Sequence, residues 1–434
     1  MPASPDASVD PGATTVEAVP ATVEPLLAPR DGVPPVVESQ AALAAAAARL
    51  AAGTGPIAVD AERASGYRYG QRAYLLQLRR RGTGTVLIDP TGPDDLAPMA
   101  TALAGAEWVL HAASQDLPCL HELGLAPPSL FDTELAGRLL GYPRVGLAAL
   151  VAQEFGIGLA KEHSAVDWST RPLPEPWLVY AALDVEVLLE LRDSMAAALR
   201  AAGKWEWAEQ EFEAERLAPP PPARVDPWRR TSGVHRLRRA RQLAVVRALW
   251  TARDEVARAR DTAPGRILPD AAIVAAGQHP DAGPAELAAL PEFTRRGARR
   301  HLRTWQQALV AAQELAEDQL PAVAARPTGP PPPRAWPDRD PAAAARLVAA
   351  RAAVAAVADE VGMPAENVLP PGALKAICWH PPEDLDPAAV RRALAELGAR
   401  PWQLELTAAA MAAALATDPA TPARPSNGAS VTDE

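Results

Sequence analysis

The sequence predicts an α/β unit, a mixed sheet flanked by helices, followed by two all-α helical units. Three observations carry this. Short apolar runs of strand type are confined to residues 56–131. Two proline-rich runs, 217–227 and 326–337, break helix and strand alike and read as linkers. Beyond the first of them only helical periodicity remains.

Taken in order, residues 1–40 hold six acids and one arginine, Arg30, among Pro, Ala, Ser and Thr, and are expected to form a disordered tail. Residues 41–216 form the α/β unit. Ala42–Ala52 suits a helix, and Pro56–Asp60 is an apolar run of buried-strand type. Ala73–Leu78 and Thr85–Ile88 read as strands joined around Gly82 and Gly84. A helix at Pro93–Leu103, a strand at Trp108–His111, a helix at Leu117–Leu123 and a strand at Ser129–Phe131 follow. Helices are then expected at Thr133–Leu140, Leu147–Phe155 and, as one long element, Pro176–Ala202. After the 217–227 linker, residues 228–316 carry helices at Arg236–Arg260, Ala271–Ala276, Pro284–Leu290 and Thr294–Ala316. A second linker covers 317–337. The unit 338–416 has helices at Pro341–Val361, Pro371–Trp379, Pro387–Leu397 and Leu404–Ala416, and 417–434 returns to tail composition. The similar helix order of the two units suggests a diverged duplication.

Charge and composition narrow the function. The net charge of −10 does not mark a nucleic-acid binder overall, yet residues 228–316 hold 16 arginines, no lysine and 8 acids. Arg229, Arg230, Arg236, Arg238, Arg239 and Arg241 form one cluster. Arg295, Arg296, Arg299, Arg300 and Arg303 form another, and clustered arginine is the footprint of a phosphate-binding surface. The plainer reading is a solvated helix face. Two separated cysteines, Cys119 and Cys378, exclude a disulfide scaffold and a cysteine zinc site, and are expected to be buried. No apolar run approaches the roughly 20 residues of a membrane span. Met1–Gln40 lacks the basic start and apolar stretch of a secretory leader, so a soluble cytoplasmic protein is expected, with no membrane partner. No G-x-x-x-x-G-K-[ST] loop is present, which argues against a nucleotide cofactor, and a monomer is expected.

The chemistry is carried by acids. Asp60 and Glu62 close the first strand, where residues i and i+2 share a face. Alone, this pair reads equally well as two solvated acids. Asp116 opens the helix after the strand at 108–111, and Tyr180 and Asp184, four apart, share a helix face among apolar neighbours. Four carboxylates in this order suit two divalent ions, Mg²⁺ or Mn²⁺, in phosphoryl transfer, with the Tyr180 phenol orienting the attacking water.

These stretches resemble the ribonuclease D family, DEDD-type 3′–5′ exonucleases with tyrosine in the third motif. The matching segments are Val59-Asp-Ala-Glu62, His111-Ala-Ala-Ser-Gln-Asp116-Leu and Tyr180-Ala-Ala-Leu-Asp184-Val. Leu130-Phe-Asp-Thr133 and Asp167-Trp-Ser-Thr-Arg-Pro-Leu173 also match. Residues 228–316 resemble an HRDC domain, and 338–416 a weaker copy. The resemblance implies a ribonuclease-H-like sheet carrying the four carboxylates. It also implies removal of nucleotides from RNA 3′ ends, as in tRNA maturation. Ala61 and Arg63 depart from the family's usual Thr and aromatic, so Arg63 is a candidate phosphate grip in place of the aromatic wedge.

Other residues read as structural. His111 suits a strand end, and Lys161, His163 and Asp167 a solvated loop. Arg171 fits an ion pair and a phosphate contact equally, and Trp205, Trp207, Trp250 and Trp305 fit core packing. Two other functions stay open: a DNA 3′–5′ exonuclease, since no residue declares a reader for the 2′-hydroxyl, and a non-catalytic RNA-binding protein, against which the intact acids speak. Because Asp60, Glu62, Asp116, Tyr180 and Asp184 all precede residue 217, removing 228–434 is expected to leave a domain that cleaves.

Overall fold

A computed structural model of the chain describes residues 24–159, 165–220, 222–323 and 329–417. Its strands are β1 (Glu24–Leu26), β2 (Val36–Val37), β3 (Thr54–Arg63), β4 (Ala73–Arg81), β5 (Gly84–Ile88), β6 (Trp108–Leu110), β7 (Leu130–Asp132) and β8 (Ile157–Leu159). Around them lie α1 (Gln40–Ala51), α2 (Ala97–Leu103), α3 (Leu117–Glu122), α4 (Thr133–Leu139), α5 (Leu147–Phe155), α6 (Glu175–Glu186), α7 (Leu188–Ala201) and α8 (Trp205–Arg216).

Among the described residues, six strands form a mixed sheet in the order β2-β5-β4-β3-β6-β7. The β3–β4 and β4–β5 pairs are antiparallel, and β2–β5, β3–β6 and β6–β7 are parallel. Alternation decides what each face carries. On β3, Ile57, Val59 and Ala61 join Leu76, Leu78, Val86 and Ile88 in the main core. Asp60 and Glu62 point to the opposite face, opposite Gln77 and Leu75 of β4.

Two expectations about this unit are corrected. The segment 24–40, expected to be a tail, is ordered. β1 pairs with β8, and β2 extends the sheet edge, with the Asp89 N–H donating to Val37 O at 3.0 Å. Edge backbone groups recruit the segment despite its composition. Residues 1–23 and 418–434 lie outside the described residues. The helix expected over 176–202 is broken at Val187, close to where its buried face passes from one core to the other. Ala181 and Ala182 of α6 pack with Leu75, Leu87 and Trp168, whereas Leu188, Leu191, Met195 and Leu199 of α7 join the main core.

The middle unit comprises α9 (Ala240–Ala259), α10 (Pro264–Ile267), α11 (Asp270–Gln278), α12 (Pro284–Ala289), α13 (Arg296–Arg300) and α14 (Leu302–Gln313). The expected Thr294–Ala316 helix is interrupted at His301. The C-terminal unit comprises α15 (Trp336–Arg339), α16 (Pro341–Val361), α17 (Ala365–Val368), α18 (Pro371–Trp379), α19 (Pro387–Glu396) and α20 (Pro401–Leu415). In both units a long helix, a single turn and a nine-residue helix follow one another. Among the described residues α16 is long and apolar enough to cross a membrane by length and composition, contrary to expectation. Its Ala343, Leu347, Ala350, Val354 and Ala358 are buried in the core of this unit.

The units differ in attachment. The middle unit has a core of its own around Trp305, Leu249 and Phe293. The C-terminal unit shares the main core with the sheet. Trp402 stacks on Trp207 at 5.0 Å, its Nε1 donates to Glu211 Oε1 at 2.9 Å, and Lys204 Nζ donates to Gly362 O at 3.5 Å. A Cβ on Gly141 would lie 2.2 Å from Gly362 O, so the two backbones meet there only because residue 141 is glycine. Excision of 228–434 would strip this face. The expectation that the remainder cleaves on its own is therefore set aside.

Candidate active site

Asp60 and Glu62 reach one face of the sheet at the end of β3, and α6 lies across that face. Glu186, fully buried on α6, pairs with Arg79 of β4 at 3.2 Å, which pins the helix so that Asp184 looks onto Asp60. Oxygens of Asp60, Glu62 and Asp184 lie within 4.8 Å of one another. The Tyr180 hydroxyl, one turn earlier, hydrogen-bonds the Asp184 carboxylate.

Asp116 stands beside this triad. It is buried, and its Oδ1 lies 3.6 Å from the Arg63 guanidinium. Its turn is built by residues to which sequence reasoning gave no role. Ala112 has φ +57°, a strained backbone for a residue with a side chain. The buried Asp132 carboxylate accepts the N–H groups of Ala112 at 3.2 Å and Ala113 at 2.6 Å, and also caps α4. Glu215, from α8, accepts the Ser114 N–H at 3.1 Å. Asp-Thr before a helix signals a cap; that the cap also holds a distant turn is a tertiary fact.

Electrostatics mark the cluster as a site for a cation. Burial raises the Asp60 carboxyl. Burial, then repulsion by the other acids, raises Glu62, Asp116 and Asp184. Burial and the adjacent carboxylates push the Tyr180 phenol up, so it keeps its proton at neutral pH. Arg63 is the countercharge that lowers Asp60, Glu62 and Asp116. The buried Gln77 amide, directly across from Asp60, has neither polar atom hydrogen-bonded. An all-oxygen donor set of like charges suits a hard divalent ion, so the residues present fit Mg²⁺ or Mn²⁺.

The remaining candidates divide. His111 Nδ1 lies 2.9 Å from Thr133 Oγ1, a strand-end role, and burial lowers its pKa. Arg171 pairs with Asp89 and donates to the carbonyls of Trp168, Thr170 and Tyr74, so it is an ion-pair anchor. Lys161 and His163 lie outside the described residues. Arg241 is a correction: its guanidinium donates to the carbonyls of Ala312, Gln313 and Leu315 and pairs with Glu317, capping the end of α14. Among the described residues Arg236, Arg238, Arg239, Arg295, Arg296, Arg299 and Arg300 are exposed, with no side-chain partner. The two sets lie on different elements. Arg236–Arg239 precede the start of α9, which at 20 residues is about 30 Å long. The other end of α9 meets the sheet unit, where Tyr69 bonds Asp254. Arg295–Arg300 lie on α13, packed so closely on α10 that a Cβ at Gly297 would be 2.6 Å from Arg266 O.

The fold and this carboxylate cluster define a 3′–5′ exonuclease domain, and residues 34–200 match the family described as 3′-5′ exonuclease. Residues 242–309 match the HRDC domain family, and 329–415 match the family described as 3′ to 5′ exonuclease C-terminal domain. The chain is 34% identical over 255 residues to Ribonuclease D of Zymomonas mobilis, covering 57% of this chain and 64% of that protein. It is 32% identical over 275 residues to Ribonuclease D of Escherichia coli, covering 61% and 71%. A crystal structure of a protein from Bifidobacterium adolescentis superposes with a TM-score of 0.84 and 37% identity over 90% of this chain and 99% of that one. That of Escherichia coli RNase D, an exoribonuclease involved in structured RNA processing, superposes with a TM-score of 0.65 and 27% identity over 88% and 98%. The chain belongs to the ribonuclease D family.

Proposed function

We propose that this protein is a hydrolase that removes nucleotides one at a time from RNA 3′ ends, with precursor tRNAs as a natural substrate class. The observation that carries the reading is the meeting of Asp60, Glu62 and Asp184 within 4.8 Å, with Tyr180 on Asp184 and Asp116 alongside. Relatives named Ribonuclease D support it. Asp60, Glu62, Asp116 and Asp184 would hold two divalent ions, Mg²⁺ or Mn²⁺. When bound, such ions stabilise the attacking and leaving oxygens of an in-line phosphoryl displacement.

The chain's own residues do the rest. Tyr180, holding its proton, acts as a hydrogen-bonding group that orients water rather than as a base. Arg63 balances Asp116 from within the site and lies where a phosphate near the scissile bond would meet it. The α13 arginines, one helix away from the loop that follows β3, supply phosphate contacts near the entrance. Arg236, Arg238 and Arg239 serve longer RNA.

The test is degradation of matched 3′-labelled RNA and DNA strands with Mg²⁺ or Mn²⁺. RNA should shorten from its 3′ end. Asp60→Ala should abolish this, and Tyr180→Phe should slow it roughly a hundredfold with RNA affinity retained. Near-normal rates in Asp60→Ala would sink the reading.

A further inference from the structure

The loop 64–72 leaves β3 directly after Glu62 and Arg63 and returns as β4. It is gripped from two sides. On one side stands the middle helical unit. Asp261 Oδ1 accepts the N–H groups of Tyr69 at 3.2 Å and Gly70 at 3.1 Å, and Oδ2 accepts the Tyr74 hydroxyl at 3.5 Å. The Tyr69 hydroxyl donates to Asp254 Oδ1 at 3.0 Å and accepts from Arg258 at 3.2 Å. Ala263 N–H donates to Tyr67 O at 2.9 Å, and Arg266 donates to Gly66 O at 2.7 Å with its guanidinium 4.0 Å over the Tyr67 ring. On the other side Arg68 Nε donates to Ser169 Oγ at 2.7 Å. Ser169 is held by Asp167 and follows Trp168, whose ring lies 6.5 Å from that of Tyr180.

We propose that Asp261 is a positioning residue for the carboxylate site, fixing through loop 64–72 both the Glu62 end of β3 and the segment leading to Tyr180. This rests on the exonuclease reading above. Among the described residues, every hydrogen bond of the Asp261 side chain crosses to the sheet unit, and none serves its own helices. Its φ is +43°, so a strained backbone is kept where that carboxylate is presented. Charged acceptors on paired N–H groups are among the stronger hydrogen bonds. A tether between units tolerates slack, but a catalytic site does not. The middle unit is therefore part of the active-site scaffold as well as a surface for RNA.

Asp261→Gly removes the carboxylate and relieves the strained backbone, so the fold is kept. Asp261→Asn retains one carbonyl acceptor. The full chain is assayed on a 3′-labelled RNA pentamer, too short to reach Arg236–Arg239. Melting temperature and amide hydrogen exchange of residues 64–72 and 165–173 are measured alongside. The expected result for Asp261→Gly is a cooperative melt lowered by no more than a few degrees and faster exchange in both segments. Its kcat should fall about tenfold or more, with KM within about twofold, and Asp261→Asn should recover most of both effects. An unchanged kcat, a loss seen only in KM on long RNA, or unchanged exchange at 165–173 would each overturn the proposal. If the parent chain itself fails to shorten RNA, the exonuclease reading falls, and exchange at 165–173 still decides whether Asp261 controls that segment.

Discussion

The two helical units share a succession of helices yet are attached by opposite means. The C-terminal unit adds its core to that of the sheet: Trp402 lies on Trp207, and Gly141 meets Gly362 backbone to backbone. The middle unit keeps its own core and touches the sheet unit through Tyr69, Asp254, Asp261 and Arg266. One plan has become a structural weld in one place and a polar, loop-directed joint in the other. The weld lies on the side of α8, whereas the joint borders the carboxylates. The difference teaches that apolar burial sets stability here, while hydrogen-bond geometry sets the site.

The contrast can be broken most severely at the weld. Truncation after Leu320 should abolish cooperative unfolding of the sheet unit. Trp402→Ala should destabilise the full chain by about 3–5 kcal/mol, read by chemical denaturation. A loss under about 1 kcal/mol would dissolve the distinction between weld and joint.

A smaller effect belongs to the sheet's polar face. Burial pushes Asp60 up to about 6, and burial with the Asp60 charge pushes Asp116 up to about 8. Acids raised on folding favour the folded state while protonated. Their contribution is fully present below pH about 4 and is lost as pH rises through those values. The metal-free chain should therefore lose stability as pH rises from about 4, through Asp60 up to about pH 6 and through Asp116 up to about pH 8. Mg²⁺ should raise the melting temperature more at pH 8 than at pH 6, and Asp116→Asn should shrink that difference. A metal increment independent of pH would count against the cluster.

On the middle unit, replacing Arg295, Arg296, Arg299 and Arg300 by Ala should flatten the salt dependence of RNA binding, by a log–log slope of about 0.7 per lost phosphate contact. Replacing Arg236, Arg238 and Arg239 should do so only for RNA long enough to span α9. Equal effects on a short oligonucleotide would mean that the two clusters are not separated as their places on α9 and α13 indicate. The smallest change is expected at the joint itself. Tyr69→Phe, which removes the hydroxyl on Asp254, should cost about 1 kcal/mol, with the melt of the C-terminal unit untouched.

The acids and Tyr180 were legible because their chemistry is local: i,i+2 on a strand and i,i+4 on a helix fix a shared face before any folding is known. Strand runs such as Pro56–Asp60 and helices such as Pro341–Val361 were legible for the same reason of period. The break at Val187 was not, since no proline or glycine marks it. Nor was the order of residues 24–40, which borrow hydrogen bonds from strand edges far along the chain. Nor does charge density reveal that Arg241 is held by the Leu315 carbonyl and Glu317, contacts 74 and 76 residues along the chain.

By itself, then, the sequence determined the α/β unit with its two helical partners, the carboxylate set and the arginine-rich middle unit, because period, spacing and charge density are properties of neighbours in the chain. Only the tertiary structure decided that Asp132 and Glu215 build the Asp116 turn, that Arg63 faces Asp116, and that Asp261 holds the loop behind Glu62. Each of these joins groups distant in sequence, and such contacts are selected by the packing of whole elements, which no local pattern encodes.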